Sequence, residues 1–219
     1  MSLVRHVERR LEQLVEGLAG KMFRDQLHPV ELASKLVREA DLGVQDRPPI
    51  GPTAPNAFEI RIAPDVLTDE LPAAYLQGLA KAVEDSAVER GWRLEGPVKI
   101  TLLEDPDLGS GVKITAVAEP APTKTWSRLS GSIGSFDIAF NRVTIGRGDS
   151  VDVRINDPHV SRVHALLWRD GSGVWVQDLG SANGTKVDGR LADGPVSIYP
   201  GAVLAFGRVQ LSFRSLTAA

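Results

Sequence analysis

Apolar residues in the first half of the chain recur at helical spacing in two stretches. Across residues 3–18 and 30–40 they fall three or four positions apart with charged residues between them, which predicts two amphipathic helices. Pro29 suits the first turn of the second helix, and Gly43 is placed to end it. Residues 58–62 instead alternate apolar and charged side chains, which is the pattern of a half-buried strand.

The rest of the first half continues to alternate between helix and strand patterns. A long helix is predicted over residues 69–90, and two further strands are predicted over residues 98–103 and 112–117. The proline-rich stretch 47–56 is predicted to be a connection. The resulting order is α-α-β-α-β-β, which defines an α+β N-terminal domain over residues 1–118.

The second half of the chain has a different pattern of apolar and turn-forming residues. Residues 119–126 combine two prolines with threonines and a lysine, which predicts an extended linker. Beyond it, short apolar runs are separated by Gly, Asp, Asn or Pro, and no helical period is found. This pattern predicts an all-β sandwich over residues 127–219. The apolar runs are 143–145, 165–168, 174–177, 203–206 and 210–213.

Composition narrows the class of protein. The 219 residues, of which 42% are hydrophobic, leave room for two domains with buried cores. The absence of cysteine excludes a disulfide framework, cysteine zinc sites and thiol catalysis. The net charge of −3 argues against a broad nucleic-acid-binding surface. The N-terminus is charged and no stretch approaches about 20 apolar residues, so we expect a soluble, cytoplasmic protein with no transmembrane segment.

Three short loops in the second half carry the candidate chemistry. They cover residues 146–149, 161–164 and 180–185, and each offers hydroxyl, amide or guanidinium groups on a turn next to a predicted strand. Guanidinium groups match the geometry of phosphate, and serine hydroxyls and turn N–H groups add neutral donors. No carboxylate pair or metal-ligand cluster accompanies them. The loops therefore predict a site that binds an anion without a cofactor or a metal.

The motifs IGR, SRVHA and DLGSANGTKVDG, in this order and spacing, resemble the forkhead-associated (FHA) family over roughly residues 130–216. FHA domains are β-sandwiches whose loops at one end bind phosphothreonine peptides. The resemblance implies direct phosphate contacts for the second loop, contacts from the first and third loops, and an amide that holds the peptide main chain. The implied phosphopeptide-binding residues are Arg147, Ser161, Arg162, Ser181 and Asn183. The residues implied to keep the loops in shape are Gly146, His164 and Gly184.

The first half resembles the N-terminal domain that precedes FHA domains in actinobacterial-type proteins. The run VERRLEQLVEGLAGKMFRDQLHPVELASKLVREAD carries this likeness, and residues 55–60 match the relatives' Pro-Asn-x-(Phe/Tyr) motif. The two resemblances imply a phosphothreonine-dependent adaptor in bacterial Ser/Thr kinase signalling, in cell-wall or cell-division regulation. Its implied partners are phosphothreonine-containing proteins, either Ser/Thr kinases or their substrates. The linker is much shorter than in the mycobacterial relatives.

The same sequence supports two other functions less well. Ser161 and His164 could suggest a nucleophile and a base, but no orienting acid stands at a recognisable spacing, so we do not expect an enzyme. A nucleic-acid-associated regulator acting through the first half is the alternative function, because a β-α-β-β order is similar to small RNA-binding folds. The acidic charge of that half and the lack of an aromatic stacking pair oppose it, and we expect no nucleic-acid partner.

Thr123 and Thr125 in the linker are possible phosphosites. In related regulators the FHA domain captures a phosphothreonine of its own chain. Self-capture here requires that the linker reach the loops, and an ordinary linker role for both threonines is the favoured interpretation.

Overall fold

The structure is a computed structural model that describes residues 29–64 and 71–216. The predicted helix over residues 3–18 lies outside the described residues. The described helices are α1 (Pro29–Leu42) and α2 (Ala73–Glu89). The described strands are β1 (Gln45–Arg47), β2 (Gly51–Ala54), β3 (Ala57–Ile62), β4 (Arg93–Leu94), β5 (Lys99–Glu104), β6 (Val112–Val117), β7 (Ser127–Gly131), β8 (Gly134–Ile138), β9 (Arg142–Gly146), β10 (Val153–Arg154), β11 (Ala165–Asp170), β12 (Gly173–Asp178), β13 (Thr185–Val187), β14 (Arg190–Leu191), β15 (Val196–Ile198), β16 (Val203–Phe206) and β17 (Val209–Ser215).

The chain forms two compact units. The first comprises Met1–Val44, Ala54–Ala87 and Leu94–Ala121, and the second comprises Gln45–Thr53, Val88–Arg93 and Pro122–Ala219. The first unit is α+β and the second is built on a β-sandwich, which confirms the predicted fold class. Two short segments from the first half of the chain thus belong to the sandwich unit. No helix in the described part of the chain is long and apolar enough to cross a membrane.

The first unit is organised around strand β3. This strand pairs in parallel with β5 and antiparallel with β6, so it is the central strand of a three-stranded sheet. Phe58, Ile60 and Ile62 point to its buried face, as the alternating pattern predicts. Apolar side chains from both helices are buried in the same unit, including Leu32, Leu36, Leu79 and Val83.

Local backbone hydrogen bonds determine where the two helices begin and end. Helix α1 ends where the N–H of Gly43 donates to the carbonyl of Glu39. Helix α2 begins at Ala73, later than the predicted residue 69, because the carbonyl of Pro72 accepts its first hydrogen bonds. After α2, Gly91 takes a positive φ of 64°, a conformation that glycine adopts without steric strain.

Three short strands described in the first half of the chain were absent from the sequence prediction. Strand β1 ends at the first residue of the stretch predicted as a connection and β2 lies within that stretch. The two strands pair as an antiparallel hairpin, and β4 follows helix α2. All three residues of β1 are exposed, and β2 contains Pro52. Neither strand has the apolar alternation from which strands are predicted, so the predicted order α-α-β-α-β-β was incomplete.

Asn56 explains the Pro-Asn motif of the first half. Its buried side-chain amide donates to the carbonyls of Pro97 and Glu119 at 3.2 and 2.9 Å. Its Oδ1 accepts the N–H of Glu119 at 2.9 Å. One side chain therefore satisfies three backbone groups from two segments that are distant in sequence.

The second unit contains the two sheets of the sandwich. One has the strand order β10-β9-β11-β12-β15 and the other has the order β14-β13-β16-β17-β7-β8. Their inner faces enclose a continuous core with Trp126, Leu129, Ile145, Phe206 and Phe213 among its buried members.

Strand register brings four connections to the same end of the sandwich. Ala165 at the start of β11 pairs with both Ile145 and Asp178, near the ends of β9 and β12. In the other sheet, Thr185 at the start of β13 pairs with Phe206, which itself pairs with Val209. The three predicted loops and the β16–β17 turn therefore lie together, because antiparallel strands begin and end at shared edges.

Replacing Asn56 with alanine is expected to destabilise the first unit by about 1–3 kcal/mol, because three partly buried backbone groups lose their hydrogen bonds to the buried Asn56 amide. Thermal and denaturant unfolding of the full chain measure this loss. Asn156→Ala removes the side chain of an exposed asparagine and should leave stability near that of the parent chain. Equal stability of the two variants would contradict the role assigned to Asn56.

Candidate functional site

The first and second loops are joined through their backbones. The N–H groups of Arg147 and Gly148 donate to the carbonyls of Ser161 and Arg162 at 2.9 and 3.0 Å. A Cβ atom on Gly146 would overlap the carbonyl of Arg162, so only glycine permits this approach. The two loops therefore move as one unit, and Arg147 and Arg162 are presented from adjoining backbone.

His164 joins the second loop to the third. Its fully buried ring accepts the N–H of Ser161 at Nδ1, at 3.1 Å, and its Nε2 lies 3.2 Å from the carbonyl oxygen of Gly184. These partners assign the single ring proton to Nε2, so the neutral imidazole both accepts and donates. Burial lowers the pKa of His164, against smaller opposing effects from Gly184 and Asp178. The ring also packs edge-on against Phe206, with centroids 5.7 Å apart.

Asp178 organises the third loop from its strand end. Its carboxylate accepts the N–H and the hydroxyl of Ser181 at 2.8 and 2.7 Å and the hydroxyl of Thr185 at 2.7 Å. Burial alone would raise the pKa of Asp178, but these hydrogen bonds outweigh it, and the pKa lies below its ordinary value. The carboxylate is thus charged and already occupied by internal donors.

The hydroxyl of Ser161 already accepts one hydrogen bond within the protein. Its Oγ accepts the N–H of Ala182 at 3.0 Å, which links the second and third loops a second time. A hydroxyl that accepts in this way keeps its own hydrogen for another acceptor. The half-buried Ser161 can therefore donate to an anion held at the junction of the loops.

Arg147 and Arg162 supply the positive charge. Both side chains are exposed, and neither guanidinium forms an ion pair or hydrogen bond with any residue that the structure describes. Nearby acids are engaged elsewhere, since Asp149 pairs with Arg154 and Asp157 accepts from His159. The loop end consequently presents two arginines whose donors are available to a ligand.

Asn183 lies at the exposed tip of the third loop. Its Nδ2 donates to the carbonyl of His159 at 2.8 Å, which fixes the orientation of the amide. Its Oδ1 accepts no hydrogen bond from the described residues. An oriented amide with a free carbonyl suits a peptide N–H from an extended ligand.

The structure brings four of the five implied binding residues to one surface and gives the fifth a different contact. Ser181 donates its only hydroxyl hydrogen to Asp178 and accepts the N–H of Gly184 at 2.9 Å. In this arrangement it closes the third loop instead of supplying a donor to the ligand. The contacts of Gly146, His164 and Gly184 are internal to the loops, where Gly184 has a positive φ of 73°.

The two linker threonines lie at the opposite end of the sandwich from the loops. Trp126, which follows Thr125, is buried, and its N–H donates to the carbonyl of Ile138. The adjacent Ser127 pairs with Ser215, at the far end of seven-residue strand β17, which spans about 20 Å. Thr123 can extend only about 11 Å from Trp126. The proposed self-capture within one chain therefore does not fit this geometry.

Sequence reasoning missed one further basic residue at the loop end. Arg208 is exposed in the turn between β16 and β17, and the preceding Gly207 donates to the carbonyl of Gly184 at 3.2 Å. The signal was a Gly-Arg pair between two apolar strands, which marks a hairpin turn without indicating what the turn approaches. In the described residues, no group of three His, Asp or Glu side chains could hold a metal ion.

Two family models match successive parts of the chain. The model for the N-terminal domain of FhaA matches residues 4–115, and the model for the FHA domain matches residues 143–207. The FHA domain-containing protein FhaB of Mycolicibacterium smegmatis is 36% identical over 72 residues, which cover 33% of this chain and 46% of the relative. FhaA of Mycobacterium tuberculosis is 30% identical over 112 residues, which cover 50% of this chain and 21% of the relative. The chain thus spans less than half the length of these relatives.

Solved structures of FHA domains are similar to the second part of the chain. One, from a study of phosphothreonine-dependent FHA domain interactions, is 26% identical, covers 43% of this chain and 100% of its own, and has a TM-score of 0.39. Another, the FHA domain of FhaA complexed with the intracellular domain of another protein, is 27% identical, covers 42% and 100%, and has a TM-score of 0.37.

The lowered pKa of His164 predicts a stability loss in acid. The contribution of the neutral ring is complete above the unfolded pKa of about 6.5 and is lost as pH falls below that value and through the lower folded pKa. Denaturant unfolding at about pH 7.5 and about pH 5.5 should show a loss of stability in the parent chain that is smaller in His164→Gln. His159→Gln, which changes a half-exposed ring, should retain the loss. An unchanged pH dependence in His164→Gln would contradict the prediction.

Phosphorylation of Thr123 and Thr125 is expected to leave the affinity for an added phosphopeptide unchanged in dilute protein, because neither residue can reach the loops of its own chain. The measurement is a peptide titration of chain phosphorylated by a Ser/Thr kinase. The matched control is the Thr123→Ala, Thr125→Ala chain treated with the same kinase. A large loss of affinity that the two alanines restore would establish self-capture and overturn the geometric argument.

Proposed function

This chain belongs to the family defined by the FhaA N-terminal domain, here followed by an FHA domain, and from that premise we propose that it is a phosphothreonine-dependent adaptor. It would bind phosphorylated proteins through the loop end of its sandwich and act in bacterial Ser/Thr kinase signalling. Ser/Thr kinases and their substrates are the proposed partners. A role in cell-wall or cell-division regulation stays a prediction from the resemblance.

The observation that carries this proposal is a pair of arginines whose guanidinium groups have no partner among the described residues, beside a fixed hydroxyl donor. Two backbone hydrogen bonds join the loops that carry Arg147 and Arg162. Ser161 of the second loop is hydrogen-bonded both to His164 and to Ala182 of the third loop. A phosphate carries about −1.5 to −2 charges and three acceptor oxygens near neutral pH. Two guanidinium groups and one hydroxyl match that charge and those acceptors.

The same geometry supports binding of a ligand without catalysis of a reaction on it. His164 directs both ring nitrogens to backbone groups, so it is not placed to activate Ser161, whose hydroxyl instead accepts the N–H of Ala182. Asp178 accepts hydrogen bonds from Ser181 and Thr185 at 2.7 Å, whereas its Oδ2 lies 3.8 Å from Nε2 of His164, which is too far for a hydrogen bond that would orient the ring. We therefore propose that the loop end captures a phosphopeptide and leaves it unchanged.

Arg162→Ala and Ser161→Ala are each expected to weaken phosphothreonine-peptide binding by about 10- to 100-fold, because each removes a hydrogen bond to the phosphate worth about 1.5–3 kcal/mol. Isothermal titration calorimetry with a peptide selected from a phosphothreonine library measures the change. The parent affinity should be on the order of micromolar, or about 8 kcal/mol.

The matched control is Arg214→Ala. Arg214 is an exposed arginine near the far end of β17, so its removal changes net charge equally without touching the loops. It should bind like the parent chain. The proposal fails if the parent chain binds phosphorylated and unphosphorylated peptides equally. The assignment of residues fails if Arg162→Ala and Ser161→Ala keep the parent affinity.

A further inference from the structure

Arg93 is a buried arginine in the sandwich unit that lies outside the residues matched by the FHA model. Its side chain is 5% exposed. One guanidinium nitrogen donates to the carbonyl of Arg142 at 2.7 Å and another lies 2.9 Å from Oδ1 of Asp152. The guanidinium also lies 4.0 Å from the ring centroid of Phe140. This side chain therefore forms an ion pair, a hydrogen bond and an aromatic contact with residues of the sandwich.

Asp152 connects Arg93 to strand β9. Its Oδ2 accepts the N–H and the hydroxyl of Thr144 at 2.8 and 2.9 Å, and its own N–H donates to that hydroxyl at 3.2 Å. The carboxylate is thus shared between a strand residue and a buried arginine. Both of its oxygens are engaged, which fixes its position.

The Arg93–Asp152 pair completes an incomplete sheet edge. Strand β10 pairs with β9 only at Ile145 and Gly146, so no strand from the described part of the chain lies beside the earlier part of β9 on that side. There the carbonyl of Arg142 accepts from Arg93 and the N–H of Thr144 donates to Asp152. The ion pair supplies the partners that a longer neighbouring strand would have supplied.

Asp152 also ends the loop that begins with Arg147. The start of this loop is held by the hydrogen bond from Arg147 to Ser161. Within it, Asp149 pairs with Arg154, but both side chains are exposed, and an exposed pair holds a loop only weakly. The buried contact of Asp152 with Arg93 is the stronger restraint on the far end of the loop.

The segment that carries Arg93 is attached to the sandwich at further points. Arg142 donates to the carbonyls of Ile50 and Gly91 at 2.6 and 3.1 Å, and Asn141 donates to the carbonyl of Trp92 at 3.2 Å. All of these residues belong to the second unit. Arg93 is therefore one member of a set of contacts that holds the beginning of β9.

We propose that Arg93 is a positioning residue for phosphopeptide binding, acting through Asp152 to hold the loop that presents Arg147. This inference rests on the proposed function. It implies that the ligand-binding unit of this chain extends beyond the FHA domain into residues matched by the FhaA N-terminal model. Removing one member of a buried ion pair leaves an unpaired charge, so the loop and its ligand contacts respond to a change at residue 93.

The test is Arg93→Gln in the full chain. A phosphothreonine peptide is expected to bind about tenfold more weakly, because the ligand must order a loop that was held in advance. Hydrogen exchange at the amides of Arg147 and Gly148 should become faster. Arg128→Gln, which breaks an exposed ion pair with Asp137, is the matched control and should change neither quantity.

A double-mutant cycle with Arg147→Ala separates positioning from general destabilisation. If Arg93 acts through Arg147, Arg93→Gln should weaken binding less than about twofold in the Arg147→Ala background. An equal loss in both backgrounds, or no loss in either, would overturn the inference. Arg93→Lys keeps the charge facing Asp152 and should recover most of the affinity. Asp152→Asn, which removes the charge on the other member of the pair, takes the place of the glutamine variant in the cycle if that variant does not unfold cooperatively. A parent chain that binds no phosphopeptide contradicts the proposed function instead.

Discussion

The buried imidazole of His164 is the interaction on which the loop end depends. It joins Ser161 of the second loop to Gly184 of the third through opposite ring nitrogens. The contact with Ser161 requires a neutral ring because Nδ1 must accept, and burial favours that form. Because the first loop is hydrogen-bonded to the second, this buried side chain and the hydrogen bond from Ala182 to Ser161 together keep all three loops in register. A surface that must meet a phosphate with several donors at once needs this kind of fixed spacing.

At this end of the sandwich, the acidic side chains form contacts within the protein, whereas two arginines are available to a ligand. Asp178 and Asp152 are each engaged by internal donors, the first within the third loop and the second beneath the first loop. Arg147 and Arg162, in contrast, have no side-chain partner among the described residues. The acids thus stabilise the loops while the arginines stay available, and the fold keeps opposite charges from neutralising each other across the binding surface.

The hydrophobic pattern predicted the elements whose burial is regular. Strand β16 coincides with a predicted apolar run, and β3 has its alternating side chains buried as expected. Strands β1 and β2 were missed because they are short and lack alternation. The role of Asp178 and the second role of Ser181 could not be predicted, since they arise from hydrogen bonds within a folded loop. Nothing in the sequence around Arg93 indicates its contacts with β9, because they depend on tertiary approach alone.

The central claim is that the three loops form a phosphate-dependent peptide site. The most direct measurement is an NMR titration of the isotope-labelled full chain with a phosphothreonine peptide and with its unphosphorylated copy. The account predicts that the largest shifts fall on the backbone amides of Arg147, Ser161, Arg162 and Asn183, and only with the phosphorylated peptide. Shifts centred elsewhere on the sandwich, or the same shifts with both peptides, would contradict it.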